Sequence, residues 1–256
     1  MNLTGNTILI TGGGTGIGRG LAEAFQSLGN QVIIAGRRKS ALDETTKANP
    51  GMQSIALDIE NPAAIRSFAV QVTASYPALN VLINSAGIMR PEDMKANPVD
   101  LANAEAIITT NLLGPIRLTA ALLPHFQQQP RATVINVSSG LAFVPLHVTP
   151  TYCATKAALH SWNQSLRYQL KSTSVEVLEL APPYVATDLM GGASDPRAMP
   201  LAAYIVEVMN ILKTQPTPKE ILVENVKPLR FAEQNGKYDV IFEGLNAELA
   251  DHATHD

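Results

Sequence analysis

Residues Thr11 to Gly18 read T-G-G-G-T-G-I-G, and their neighbours decide what that turn can be. An apolar run, Thr7-Ile-Leu-Ile10, leads into it. A helical pattern leads out, with Ile17, Leu21, Phe25 and Leu28 on one face and Gly29 as its stop. A strand that feeds a helix through a turn made almost wholly of glycine aims the chain at a bare helix N-terminus. Such an end carries unpaired N–H groups and about half a positive charge, so it suits a pyrophosphate. Gly12, Gly16 and Gly18 allow the tight turn, the close approach of backbone to phosphate and the packing of helix on strand.

The rest of the chain repeats the alternation. Strands are expected at Thr7–Ile10, Gln31–Ala35, Ser54–Leu57, Val81–Asn84, Thr133–Val137 and Val175–Leu180, with a weaker seventh at Glu220–Val223. Several are rich in Val and Ile without polar alternation, as strands covered on both faces are. Asn61-Pro62 and Thr149-Pro150 each place a capping side chain before a first-turn proline. A long apolar helical pattern from Val99 to Phe126 contains Gly114-Pro115, where a kink or a fresh start is expected. Strand–helix alternation of this kind implies an α/β fold, a doubly wound parallel sheet of about seven strands with helices on both faces. One domain over residues 1–246 is expected, with a Pro- and Gly-rich substrate lid at about 188–218 and a frayed tail at 247–256.

Composition narrows the function classes. Apolar residues make up 46% and charged residues 16%, enough for a sizeable core, and the net charge of −3 argues against nucleic acid or an anionic membrane as partner. No run approaches bilayer-spanning length, and the first strand begins too early for a signal peptide, so a cytoplasmic location is expected. A single cysteine, Cys153, excludes an internal disulfide and a cysteine metal cluster. His125, His147 and His160 lack metal-ligand spacing, so no metal is expected and solvated or capping roles are assigned to them.

The second strand ends Ala35-Gly36-Arg37-Arg38, where a dinucleotide fold that prefers NAD often carries an acid to hold the ribose 2′-hydroxyl. An acid repels a 2′-phosphate, whereas a guanidinium bonds it, so this ending favours NADP(H) over NAD(H). Tyr152 and Lys156 share a helix face at i, i+4. A neighbouring ammonium and the charge of an oxidised nicotinamide both lower a phenol's pKa, making tyrosine a usable general acid for a carbonyl. Ser138, 14 residues before Tyr152 at a strand end, is placed to hold the same oxygen.

Together, the glycine turn, Asn84-Ser-Ala-Gly87, Asn111, Ser138 and Tyr152-x-x-x-Lys156 resemble the short-chain dehydrogenase/reductase family over roughly residues 3 to 190. The resemblance implies a Rossmann domain in which Ser138 positions the substrate oxygen and Tyr152 transfers the proton. Lys156 would bind the nicotinamide ribose and lower the tyrosine pKa, and Asn111 would hold a relay water. Gly12, Gly14, Thr15, Gly16, Ile17 and Gly18 would cradle the cofactor, Arg37 and Arg38 its 2′-phosphate, and Asp58 and Ile59 its adenine. Asn84, Ala86 and Gly87 would line its path, and Val185 and Thr187 would contact the carboxamide. Three segments, starting at Ser138, Tyr152 and Ala181, are similar to the branch named for the reductase of the D-alanyl-lipoteichoic acid operon. Two departures stand out: Pro182-Pro183 replaces the usual Pro-Gly, and the Asp-Gly-Gly after strand seven is missing.

The expected activity is an NADPH-dependent carbonyl reductase, reversible as an alcohol dehydrogenase. Phe143, Leu146, His147, Tyr184, Met190 and Met199 are expected to overhang the nicotinamide and make the substrate pocket mostly apolar. A non-catalytic redox sensor is the alternative, and a sugar-nucleotide epimerase would need a larger C-terminal region. Ile107, Ile108, Leu112, Leu113, Ala157, Leu159, Trp162 and Leu166 put apolar residues on more than one helix side, which predicts at least a homodimer and allows a tetramer.

Overall fold

In the computed structural model, residues 1–189, 191, 195–215 and 217–250 are described, with side chains through residue 247. Seven parallel strands form one sheet: β1 Thr7–Thr11, β2 Gln31–Gly36, β3 Gln53–Ala56, β4 Leu79–Asn84, β5 Ala132–Val137, β6 Val175–Leu180 and β7 Glu220–Ile221. Their order is β3-β2-β1-β4-β5-β6-β7, so the winding reverses between β1 and β4. That reversal opens the crevice at the strands' carboxyl ends where such folds take ligands.

Side-chain alternation along the buried strands divides the core into two layers. Ile8, Ile10 and Ile34 face Leu21 and Phe25 of α1 (Gly16–Ser27) and Tyr204 and Val208 of α7 (Leu201–Thr214). Leu9, Ile33 and Leu82 face the opposite layer of α3 (Pro62–Ser75), α5 (Gly114–Phe126) and α6 (Pro150–Gln169). The remaining helices are α2 (Lys39–Ala48), α4 (Ala102–Ile108), α8 (Lys227–Arg230) and α9 (Tyr238–Ala250). Leu28, expected on the buried face of α1, is its C-cap and stands 41% exposed.

Several local expectations change. Asn61 caps α3 by accepting from the N–H groups of Ala63 and Ala64. Thr149 makes no such bond to α6. Instead Glu92, from a distant loop, accepts from the Thr151 N–H at 3.0 Å and from its hydroxyl at 2.6 Å. Between α4 and α5 the chain continues through a π-helical turn, Thr109–Leu113, where Gly114 N–H bonds the Thr109 carbonyl. The Gly-Pro pair opens α5, the expected fresh start, and the widened turn joins that helix to α4. The resulting run Ala102–Phe126 has 25 residues, and an 18-residue stretch of it has a mean hydropathy of 1.4, long and apolar enough to cross a membrane, contrary to expectation. Its Ile107, Leu118, Leu122 and Phe126 are packed into the core, which accounts for that apolarity.

The proposed lid at 188–218 is also corrected. Residues 201–214 form α7, whose Tyr204, Ile205, Val208 and Leu212 are buried against the sheet, so that stretch is core rather than cover. The loop proper ends near Pro200. Helix α9 runs to Ala250, so residues 247–250 are helical rather than frayed; 251–256 lie outside the described residues.

Candidate active site

The crevice between β1 and β4 is bounded by backbone. Gly12 has φ +68°, and a Cβ there would stand 2.9 Å from Ala86 Cα. A Cβ on Gly18 would meet the Gly12 carbonyl oxygen at 2.4 Å, so the first turn of α1 reaches the strand only because residue 18 has no side chain. Thr11 Oγ1 accepts from the N–H groups of Ser85 and Ala86, both at 3.1 Å, tying the end of β4 to the glycine turn. Across the turn, Thr187 Cγ2 would lie 3.4 Å from a Cβ on Gly16, whose φ is +54°. Val185 is buried and bridges Met199. The loop after β6 thus reaches the phosphate turn despite Pro182-Pro183.

The two arginines separate. Arg38 donates to Thr15 Oγ1 at 3.0 Å and lies over the glycine turn. Arg37 turns away and pairs with Glu60 at 2.5 Å, an oxygen that Thr110 also engages. Asp58 is exposed after β3, and Ile59 is buried against Gly114. Asn84 is placed at the β4 end but points inward, donating to Thr119 Oγ1 at 3.0 Å and Asn136 Oδ1 at 2.7 Å. Asn136 in turn donates to Asn163 of α6. Asn84 therefore stitches β4 to β5 and α6.

Tyr152 and Lys156 lie buried on α6, with the Lys156 ammonium 5.4 Å from the Tyr152 ring centre. Lys156 Nζ donates to the Val137 carbonyl at 2.8 Å. Asn111 sits on the π turn, the kind of irregular turn that often marks functional sites. Its side chain clamps the Ile88 backbone, accepting from the N–H at 2.9 Å and donating to the carbonyl at 2.8 Å. A Cβ on Gly87 would come within 3.4 Å of Asn111 Oδ1 and 3.9 Å of Lys156 Nζ, so this loop, Asn111 and Lys156 meet at one point.

The serine assignment moves by one residue. Ser139, not Ser138, is hydrogen-bonded with the Tyr152 phenol. Ser138 points the other way, donating to Glu179 Oε1 at 2.5 Å. Consecutive residues at a strand end face opposite sides, so a shift of one residue exchanges the site for the interior.

Burial sets the ionisation of the pair. The Tyr152 phenol is pushed up to about 12 by desolvation, with Ser139 opposing. Desolvation pushes the Lys156 ammonium down to about 8, opposed by the charge of Glu179.

The expected apolar pocket is partly rearranged. Leu146 packs with Ile88, Met89 and Leu141 around Ile107, Tyr152 and Cys153. It also lines a cavity of about 390 Å³ with Cys153, Ala157 and Phe242 of α9. Asn246 holds the loop in place by accepting from His147 N–H at 2.6 Å. Phe143 turns instead to His160, ring centres 4.9 Å apart, and Met199 packs on the core. Tyr184 bonds Asp195, whose carboxyl Arg197 holds well below the usual carboxylate range. Met190 lies outside the described residues. His160, expected to be solvated or capping, contacts Glu179 Oε2 at 2.8 Å. The signal was present in the sequence: Glu179 interrupts the apolar stretch from Val177 to Pro183, and His160 follows Lys156 by one helical turn.

A parallel sheet with a glycine cradle at its switch point and a buried Tyr–Lys pair beside it defines a dinucleotide-binding oxidoreductase. Residues 6–198 match the short chain dehydrogenase family, and the chain belongs to it. It is 40% identical over 253 residues to an uncharacterized oxidoreductase, DltE, of Bacillus subtilis, covering 97% of this chain and 99% of that one. Its fold is similar to that of a short chain dehydrogenase from Burkholderia cenocepacia in complex with NADP. That match has TM-score 0.80 at 23% identity, over 96% of this chain and 99% of the other. A Burkholderia phymatum short chain dehydrogenase/reductase in complex with NAD gives TM-score 0.79 at 18% identity, over 93% and 96%.

Proposed function

We propose that this oxidoreductase is an NADPH-dependent carbonyl reductase, reversible as an alcohol dehydrogenase, working through Ser139, Tyr152 and Lys156. The observation that carries the reading is the burial of Tyr152 and Lys156 side by side, with Ser139 on the phenol, next to the glycine-lined crevice. The bare backbone at Gly12, Gly16 and Gly18 fits a pyrophosphate, and Arg38 over Thr15 fits a ribose 2′-phosphate better than Arg37 does. A nicotinamide cofactor supplies or accepts the hydride. Ser139 holds the substrate oxygen, and Tyr152, protonated at neutral pH, donates the proton to it. Lys156 contributes positive charge beside the phenol, and Asn111 fixes the loop around which a relay water would sit. Ile88, Met89, Leu141 and Leu146 give the substrate an apolar surround.

The test is NADPH oxidation, followed at the nicotinamide absorbance, against a panel of ketones and aldehydes. Turnover abolished in Tyr152→Phe supports the reading. Tight NADPH binding with no turnover of any carbonyl favours a redox sensor instead. We read the remaining apolar surface of α4, α5 and α6 as a dimer face: Ile108 is 40% exposed and Ala157 is exposed, whereas Ile107, Leu159 and Leu166 belong to the core. A monomer mass by light scattering at micromolar concentration overturns that part.

A further inference from the structure

Beneath the site lies a second set of polar groups that the proposed mechanism does not use. Glu179 is fully buried within β6, where an isolated charge is costly unless it is paired and hydrogen-bonded. Both its oxygens are engaged. Oε1 accepts from Ser138 at 2.5 Å, and Oε2 contacts His160 Nδ1 at 2.8 Å. Lys156 lies against the same strand end, donating to the carbonyl of Val137, the residue before Ser138. Two consecutive residues of one strand are thus held from opposite sides, one by a buried cation and one by a buried anion.

The geometry points to Glu179 as a positioning residue of the Tyr152–Lys156 pair: a buried counter-charge for Lys156, fixed by Ser138 and linked to the outer surface by His160. The inference rests on the proposed role of that pair, but its primary test does not. An ammonium this deeply buried tends to lose its proton, and the charge of Glu179 works against that loss. At an effective dielectric of about 20, two opposite charges even about 10 Å apart interact strongly enough to move a titration by about one pH unit.

His160 carries the contacts outward. Its Nε2 contacts the Gln164 amide at 2.7 Å. The charged and titratable groups around Glu179 are Lys156 and His160 on α6, with Tyr152 beyond Lys156. Glu220 of β7 lies 3.6 Å from His160 Nδ1, and Arg230 of α8 clamps Glu220 at 3.0 Å. His160 and Arg230 also line an open surface cavity of about 430 Å³, so the chain of contacts ends at solvent.

The decisive measurement is the titration of Lys156 in the cofactor-free protein by NMR of its ¹³Cε, assigned with Lys156→Arg. Glu179→Gln is isosteric, accepts from Ser138 and removes the charge; the Lys156 midpoint should fall by about one pH unit. Glu179→Asp keeps the charge and should leave the midpoint near its original value, although it disturbs packing more. In turnover with a reactive ketone, the alkaline limb of kcat should move down with the midpoint in the Gln variant, while KM for NADPH changes little. An unmoved Lys156 midpoint in folded Glu179→Gln overturns the inference, leaving Glu179 a structural partner of Ser138. Should that variant fail to fold, Glu179→Met, of similar volume and without charge, takes its place, and the Lys156 midpoint should fall as far. An unmoved midpoint there overturns the proposal as well. Absence of all ketone turnover, with the Lys156 shift present, rejects the reductase reading and leaves the counter-charge standing.

Discussion

The two walls of the crevice are held by different physics. On the β1–β2 side the surface is backbone, kept bare by Gly12 and Gly18 and tied by short side chains such as Thr11. On the β5–β6 side it is buried charge: Lys156, Glu179 and a phenol pushed up to about 12. Errors on the first wall are steric, and each is confined to the place where an extra atom cannot fit. Errors on the second are electrostatic and reach groups that do not touch. That contrast suits the proposed division of labour, in which one half takes a dinucleotide and the other moves a proton.

The largest effect belongs to the second wall. Tyr152→Phe should lower kcat by about 10²–10⁴, the span of general acid–base groups, with the Kd for NADPH nearly unchanged. Stopped-flow turnover and a binding titration check both halves of that statement. Arg38→Ala should weaken NADPH by roughly ten- to a hundredfold, the worth of one charge-assisted bond, and leave NADH alone. Arg37→Ala should do less, since Glu60 already holds that guanidinium. Equal losses for the two cofactors would remove the 2′-phosphate from the argument.

Gly18→Ala tests the first wall directly. Its Cβ would stand 2.4 Å from the Gly12 carbonyl oxygen, so backbone must shift, costing about 1–3 kcal/mol by thermal unfolding. The pH response sharpens the contrast further. Lys156 titrates near 8 in the fold against 10.5 for an ordinary lysine, so between those values the unfolded chain binds the extra proton. Its contribution to stability therefore rises with pH across that window, whereas the raised Tyr152 phenol contributes stability that is lost as pH climbs from 10 toward 12. Thermal melts of Lys156→Met should lose the first slope. The smallest effect lies outside both walls: Asn61→Ala removes two cap bonds on α3 and should cost about 1 kcal/mol, with kinetics unaltered.

Much of the scaffold was legible because its signals are local. Valine and isoleucine runs located the strands, although β7 shortened to Glu220–Ile221, and the glycine turn located the crevice. Helical period alone put Tyr152 and Lys156 on one face of α6. Legibility failed wherever a partner came from far along the chain. Glu92, not the adjacent Thr149, satisfies the start of α6 from 59 residues away. Glu60 claims Arg37 and leaves Arg38 for the turn. The lid estimate absorbed α7 because proline and glycine around it outweighed the apolar period inside it.

By itself, the sequence determined the α/β alternation, the glycine cradle and the shared helix face of Tyr152 and Lys156, since turn sterics and residue periodicity act within a few residues of each other. Only the tertiary structure decided which of two adjacent serines meets the phenol, which of two adjacent arginines meets the phosphate turn, and that Glu179 and His160 belong beneath the site. Those choices depend on which side of a strand end or turn a side chain leaves. That parity is fixed by contacts between segments dozens of residues apart, here Ser138 with Glu179 at a separation of 41.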